Sequence, residues 1–112
     1  MTAGGGGPYL LAVDAGTGSC RALLFTAAGE QAAVSLREWS HREPPGVPGG
    51  QDFDVEVNWL AITTCIRDAL RLAGATGDQV VAVAATSMRE GIVLYDAGGR
   101  ELWACPNVDS RA

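Results

Sequence analysis

Leu10-Leu11-Ala12-Val13-Asp14, then Ala15-Gly16-Thr17-Gly18-Ser19-Cys20-Arg21, then Ala22-Leu23-Leu24-Phe25, is the stretch around which the rest of the chain is organised. An apolar run ends in a carboxylate, passes through a short turn of small and hydroxyl residues, and leads into a second apolar run. The pattern predicts strand, turn, strand. Gly16 and Gly18 can bring backbone N–H groups close to an anion, because glycine has no Cβ to hold it off and accepts positive φ. Thr17 and Ser19 add hydroxyl donors, Arg21 adds a fixed positive fork, and Asp14 can hold a divalent cation directly or through water. Asp14, Gly16, Thr17, Gly18, Ser19 and Arg21 are therefore candidates to hold a nucleotide phosphate with its magnesium, Asp14 being the metal candidate. An ordinary β-hairpin also needs an acidic residue and glycines between its strands, so Asp14, Gly16 and Gly18 alone leave both readings open. Two familiar phosphate loops are excluded. All eight basic residues are arginine, so no lysine is present for a Walker loop. After Arg21 the pattern is that of a strand, where a dinucleotide fold would begin a helix.

The whole chain sets the bounds. Its 112 residues make one domain at most, with 47% hydrophobic and 19% charged residues in the range of globular proteins. A net charge of −5 argues against nucleic acid as a partner, since phosphate backbones are bound by basic surfaces. The apolar runs are too short to span a membrane, and Met1-Thr2-Ala3 followed by four glycines lacks the basic start and apolar run of a secretion signal. A cytoplasmic protein is expected. Cys20, Cys65 and Cys105 are widely spaced and odd in number, which suggests no disulfide framework or zinc site but small buried residues. The one histidine, His41, stands beside Arg42 ahead of Pro44-Pro45-Gly46 and is a poor candidate for a general base.

Along the chain, residues 1–8 read as a flexible glycine-rich leader and 9–112 as the folded part. Tyr9–Val13, Arg21–Thr26 and Gln31–Trp39 form an antiparallel meander of three strands, the first apolar enough to suggest burial on both faces. Arg42–Gln51 is rich in proline and glycine and reads as a loop. Asp54 is placed as the N-cap of a helix, with Val55, Trp59, Ile62, Ile66, Leu70 and Ala73 as its apolar stripe and Gly74 as its end. Trp59 on that stripe is assigned to the core. Gln79–Ala85 returns as a strand parallel to the first. Thr86-Ser87-Met88-Arg89-Glu90-Gly91 follows, then two short strands, Ile92–Tyr95 and Glu101–Trp103, around Asp96-Ala97-Gly98-Gly99.

Three blocks then carry a family resemblance. Asp14-Ala15-Gly16-Thr17-Gly18-Ser19-Cys20-Arg21-Ala22 resembles the opening signature of the FGGY carbohydrate kinases. Asp52-Phe53-Asp54 with Trp59 resembles their acidic pair and tryptophan, and Ser87-Met88-Arg89-Glu90-Gly91 their sugar-binding arginine–glutamate pair. The resemblance covers nearly all of residues 9–112. Trp39-Ser40-His41, Asn58-Trp59 and Asn107-Val108-Asp109 resemble most the branch that acts on a linear signalling compound, dihydroxypentanedione. Asn107 stands where many sugar kinases have a tryptophan, so the sugar-facing wall is expected to differ from that of glycerol or xylulose kinases.

The resemblance implies an α/β fold, the N-terminal part of a ribonuclease-H-like, actin-like ATPase domain, with a mixed sheet of an antiparallel three-strand meander plus a crossover helix. It implies ATP and Mg2+ at the Asp14–Arg21 turn and a small sugar-like substrate clamped by Arg89 and Glu90, with Asp109 and Arg111 shaping the pocket. Read without the family, Arg89 and Glu90 are a charged pair capping a strand, and Asp109 and Arg111 a local surface ion pair. The general base, an aspartate in the family, is expected downstream, so residues 9–112 are expected to be the incomplete first lobe of a kinase, inactive alone. Uncovered core surface would favour self-association. The alternatives are a kinase of the same family for a pentulose or polyol, and an actin-like nucleotide-binding module that phosphorylates no small molecule.

Overall fold

A computed structural model of the chain describes residues 6–111. The first five residues of the expected leader, and Ala112, lie outside the described residues. The elements run β1 (Tyr9–Ala15), β2 (Ser19–Thr26), β3 (Gln31–Glu38), α1 (Val55–Ala73), β4 (Val80–Ser87), β5 (Ile92–Tyr95) and β6 (Glu101–Cys105). Strands β1 to β4 form one sheet in the order β3-β2-β1-β4, and β5 and β6 pair as a separate hairpin. The β1–β2 and β2–β3 pairs are antiparallel, and β4 returns parallel to β1. The meander and the parallel return are therefore as the periodicity predicts, with each of the first two strands reaching a residue or two further into the turn.

A period of two sorts the sheet residues between two faces. Tyr9, Leu11, Cys20, Ala22, Leu24 and Ala33 point to the side covered by α1 and make the core with Cys65, Ala69 and Ala73 of the helix. The opposite face has no covering layer among the described residues. Leu10, Val34 and Leu36 are 39%, 42% and 53% exposed there. The expectation that β1 is buried on both faces fails for this reason: α1 covers one side of the sheet only.

Helix α1 begins and ends where the sequence places it. The Asp54 carboxylate accepts from the Val57 amide at 3.0 Å, and Gly74 takes φ 65°, its amide donating back to Arg71. Its buried ridge is Asn58, Cys65, Ala69 and Ala73, flanked by half-buried Ile62, Ile66 and Leu70. Trp59 is 61% exposed, which corrects its assignment to the core. The small side chains of Cys65, Ala69 and Ala73 let the helix lie close to β2, and that contact turns position 59 outward. No helix among the described residues is long and apolar enough to cross a membrane.

Candidate functional site

Because β1 and β4 are parallel neighbours, both end at the same edge of the sheet. The β1–β2 turn and the Met88–Gly91 segment after β4 thus emerge side by side, the position where open α/β sheets bind ligands. Asp14 faces Arg21 directly across the β1–β2 ladder and Thr86 across the β1–β4 ladder. The Arg21 guanidinium donates to Asp14 Oδ2 at 2.6 Å, with the two side chains 47% and 29% exposed. An ion pair this open to water contributes at most about 1 kcal/mol. Either partner can therefore be drawn to a stronger ligand, the carboxylate to a cation or the guanidinium to a phosphate.

The turn itself is tightly tied. The Gly16 amide donates to the Ser19 carbonyl at 2.9 Å, and a Cβ on Gly16 would stand 3.2 Å from that oxygen, so a larger residue would crowd the turn. Trp39 Nε1 donates to the carbonyls of Gly16 and Thr17 at 3.2 Å each, and His41 Nε2 lies 2.6 Å from the Thr17 carbonyl. The Trp39 amide donates to the Gly18 carbonyl at 3.1 Å. Phe53 packs edge-on against Trp39, with ring centroids 5.4 Å apart, and lies 5.9 Å from His41. The Thr17 hydroxyl donates to Asn107 Oδ1 at 3.0 Å, so it is engaged with the segment after β6. Sequence reasoning missed these supports. Their signal was the continuation of the β3 alternation through Trp39 and His41, which keeps both rings on one side.

Arg89 and Glu90 sit at the tip of the segment after β4, both exposed. Among the described residues neither side chain has a hydrogen-bond or ion-pair partner. Glu90 has φ 66°, a left-handed conformation that costs a non-glycine residue about 1 kcal/mol. Met88 and Gly91 on either side of the pair line an apolar cavity of about 250 Å³ with Ala15, Phe53, Val93 and Cys105. The free charged pair thus belongs to the segment whose Met88 and Gly91 wall the cavity, and the cavity reaches β1 at Ala15.

Asp109 and Arg111 are held elsewhere. Arg111 donates to Asp109 Oδ1 at 2.6 Å, to Asp52 Oδ1 at 2.8 Å and to the Gln51 carbonyl at 2.9 Å, and its guanidinium lies 5.0 Å from the centre of the Trp103 ring. Trp103 Nε1 also donates to Asp52 Oδ1, at 3.1 Å. The hydrogen bond from Arg111, then that from Trp103, holds the Asp52 carboxyl below its ordinary range. Asp109 is lowered first by the Gln51 amide, and Arg111 is raised first by Asp52. These groups satisfy one another, so the cluster fastens the 42–54 segment to the residues after β6. The pairing of Asp109 with Arg111 matches the plainer reading of those residues, except that their side chains are only 8% and 25% exposed.

Among the described residues no three His, Cys, Asp or Glu side chains gather as a metal site. A magnesium ion that arrives on a nucleotide keeps most of its water and needs one or two carboxylates, and Asp14, partly exposed beside Thr86, fits that demand.

A model of the N-terminal domain of the FGGY family of carbohydrate kinases matches residues 9–110. The chain is 52% identical over 106 residues to an autoinducer-2 kinase of Salmonella paratyphi B and 54% identical over 106 residues to one of Yersinia pseudotuberculosis. Each match covers 95% of this chain and 20% of the relative, so the chain spans about a fifth of the length of those relatives. A xylulose kinase from Rhodospirillum rubrum superposes with a TM-score of 0.77 over 92% of this chain and 21% of that one, at 23% identity. That likeness establishes the fold, the actin-like ATPase fold of the sugar kinases.

Proposed function

The chain belongs to the FGGY family of carbohydrate kinases, and from that membership we propose that it supplies the phosphate-facing part of an enzyme that phosphorylates a hydroxyl of the linear autoinducer-2 signal, dihydroxypentanedione, with ATP. The observation that carries the substrate reading is the identity of 52–54% to autoinducer-2 kinases over 106 residues, 95% of this chain. Phosphoryl transfer is chiefly positioning and charge stabilisation, so each residue's role follows from where it stands. The Thr17 and Gly18 amides and the Ser19 hydroxyl cradle phosphate oxygens, and Gly16, its amide bonded to the Ser19 carbonyl, gives the turn the shape that lets them. Arg21, freed from Asp14, offsets charge on the transferring group. Asp14 holds the magnesium, which when bound draws charge from the phosphate oxygens. Arg89 and Glu90, one donor and one acceptor without partners among the described residues, bind the substrate's hydroxyl and carbonyl oxygens beside the apolar cavity. Analogues lacking those oxygens leave a charged group unpaired and are disfavoured. Asp109 and Arg111 act behind the site by holding the segment that carries Asn107.

In this reading the proton-accepting carboxylate belongs to a part of the enzyme beyond the residues described, along with the adenine site, and the protein works in the cytoplasm. The 112-residue chain with Mg·ATP and dihydroxypentanedione is expected to release no ADP above background, and turnover by the chain alone would overturn the division of labour. In the full-length enzyme, dihydroxypentanedione is expected to outrun xylulose and glycerol in a coupled ADP assay. Preference for either sugar would replace the substrate reading by that of another kinase of the family. Asp14→Ala there is expected to lower kcat by at least about a hundredfold, in line with the loss of an electrostatic group at the transition state. A near-normal kcat would remove Asp14 from the site.

A further inference from the structure

Each carbonyl of Gly16, Thr17 and Gly18 accepts a hydrogen bond from the continuation of β3 beyond Glu38. The single indole N–H of Trp39 is shared between the Gly16 and Thr17 carbonyls, and the Thr17 carbonyl also accepts from His41 Nε2. His41 Nε2 must carry the hydrogen to make that contact, and Nδ1 on the other side of the ring is buried without a partner. The peptide bonds here are trans, the cis bond among the described residues being Gly7–Pro8. In a planar trans peptide the N–H points opposite to the C=O. Holding the Gly16 carbonyl toward Trp39 therefore aims the Thr17 amide away from it. Holding the Thr17 carbonyl toward Trp39 and His41 does the same for the Gly18 amide. Among the described residues neither of these amides has a protein partner. An anion would meet two N–H groups, with the negative ends of the same peptides turned to the back.

We propose that Trp39 and His41 are positioning residues for the phosphate turn, fixing its peptide planes so that the Thr17 and Gly18 amides face the anion. The proposal rests on the reading of that turn as a phosphate site. A turn with free carbonyls could rotate its peptide planes and present oxygen to the phosphate. The two rings prevent that, and Phe53, packed on both and tied by its own amide to the Ala104 carbonyl at 2.9 Å, anchors them to β6.

The test uses the 15N-labelled chain titrated with magnesium tripolyphosphate, read at the Thr17 and Gly18 amide resonances. Trp39→Phe keeps a ring against Phe53 and removes the donor. His41→Leu removes the second donor, and His41→Gln restores an N–H. In the wild type both amides are expected to shift and to show the relaxation of rigid backbone. Trp39→Phe and His41→Leu are each expected to loosen those two amides and to weaken binding about fivefold, the worth of one hydrogen bond. His41→Gln should recover most of the affinity. Unchanged affinity in Trp39→Phe and His41→Leu overturns the proposal, whether or not the turn loosens, and so does a His41→Gln chain that binds no better than His41→Leu. A wild type in which neither amide responds overturns the phosphate reading and this proposal with it, so the two failures are told apart by the wild-type titration. Should Trp39→Phe fail to fold, the Leu and Gln pair at position 41 decides.

Discussion

Arg111 carries two carboxylates and a carbonyl on one guanidinium, and it does so against an aromatic ring. Asp52 and Asp109 both lie below the ordinary carboxylate value of 3.8 because they accept hydrogen bonds in the folded chain. A carboxyl with a lowered folded pKa binds fewer protons folded than unfolded, so its stabilisation is complete above the unfolded value and is lost as pH falls toward the folded one. Urea midpoints are therefore expected to fall steeply below about pH 4 in the wild type, and less steeply in Asp52→Asn, which is already destabilised at pH 7. Equal acid slopes for the two chains would separate this cluster from acid stability. The thiols make a second prediction at this scale. Burial, then the Cys65 thiol at 3.7 Å, pushes Cys20 up to about 11, and Cys65 and Cys105 are buried as well. All three thiols should be silent to Ellman's reagent in the native chain and react on denaturation; fast labelling of Cys20 would contradict its burial. That the cysteines would be buried was legible from their spacing and number. The roles of Trp39 and Asn107 were not, because a side chain's partner is set by what the fold brings across from residues 22 to 90 positions away.

Helix α1 shows what an element reveals in advance. Its ends are local events: a carboxylate takes an orphan amide at Asp54, and a glycine takes the left-handed conformation at Gly74. Asp54→Ala is expected to cost about 1 kcal/mol, by loss of the cap. Gly74→Ala is expected to cost about 1 kcal/mol, by forcing a Cβ into positive φ. Urea denaturation of each variant checks both, and a neutral result at either position would mean that the cap seen there does not hold the helix end. Which way the helix faces was less legible. Its apolar stripe is wide enough to admit more than one rotation, and the choice fell on the small residues because β2 had to approach closely. Trp59 is exposed for that reason. Strand ends behaved alike: β1 and β2 run to Ala15 and from Ser19, past the last apolar residue, because the ladder between them continues through the Asp14–Arg21 pair.

At the scale of the molecule, one sheet face is packed and the other is open among the described residues. Leu24 is fully buried under α1, and Leu24→Ala is expected to cost about 2–5 kcal/mol. Leu36, 53% exposed, lies on the open face, and Val83, 63% exposed, lies on the helix side of β4, beyond the β2 and β3 strands on which α1 packs. Leu36→Thr and Val83→Thr are expected to stay within about 0.5 kcal/mol of the wild type in chemical denaturation. A large loss at either would show that the position is packed in solution. By itself the sequence determined the element order, the antiparallel meander, the parallel return of β4, both ends of α1 and the candidate turn at Asp14. Each of these is written in short-range periodicity, in capping chemistry or in glycine placement, where the cause lies within a few residues of the effect. Only the tertiary structure decided that α1 covers a single face, that Arg111 closes on Asp52 and Asp109, that the segment carrying Arg89 and Glu90 walls an apolar cavity, and that Trp39 and His41 bond the carbonyls of the turn. Those are contacts between distant segments, and their geometry exists only once the hydrophobic faces have found each other and set the distances.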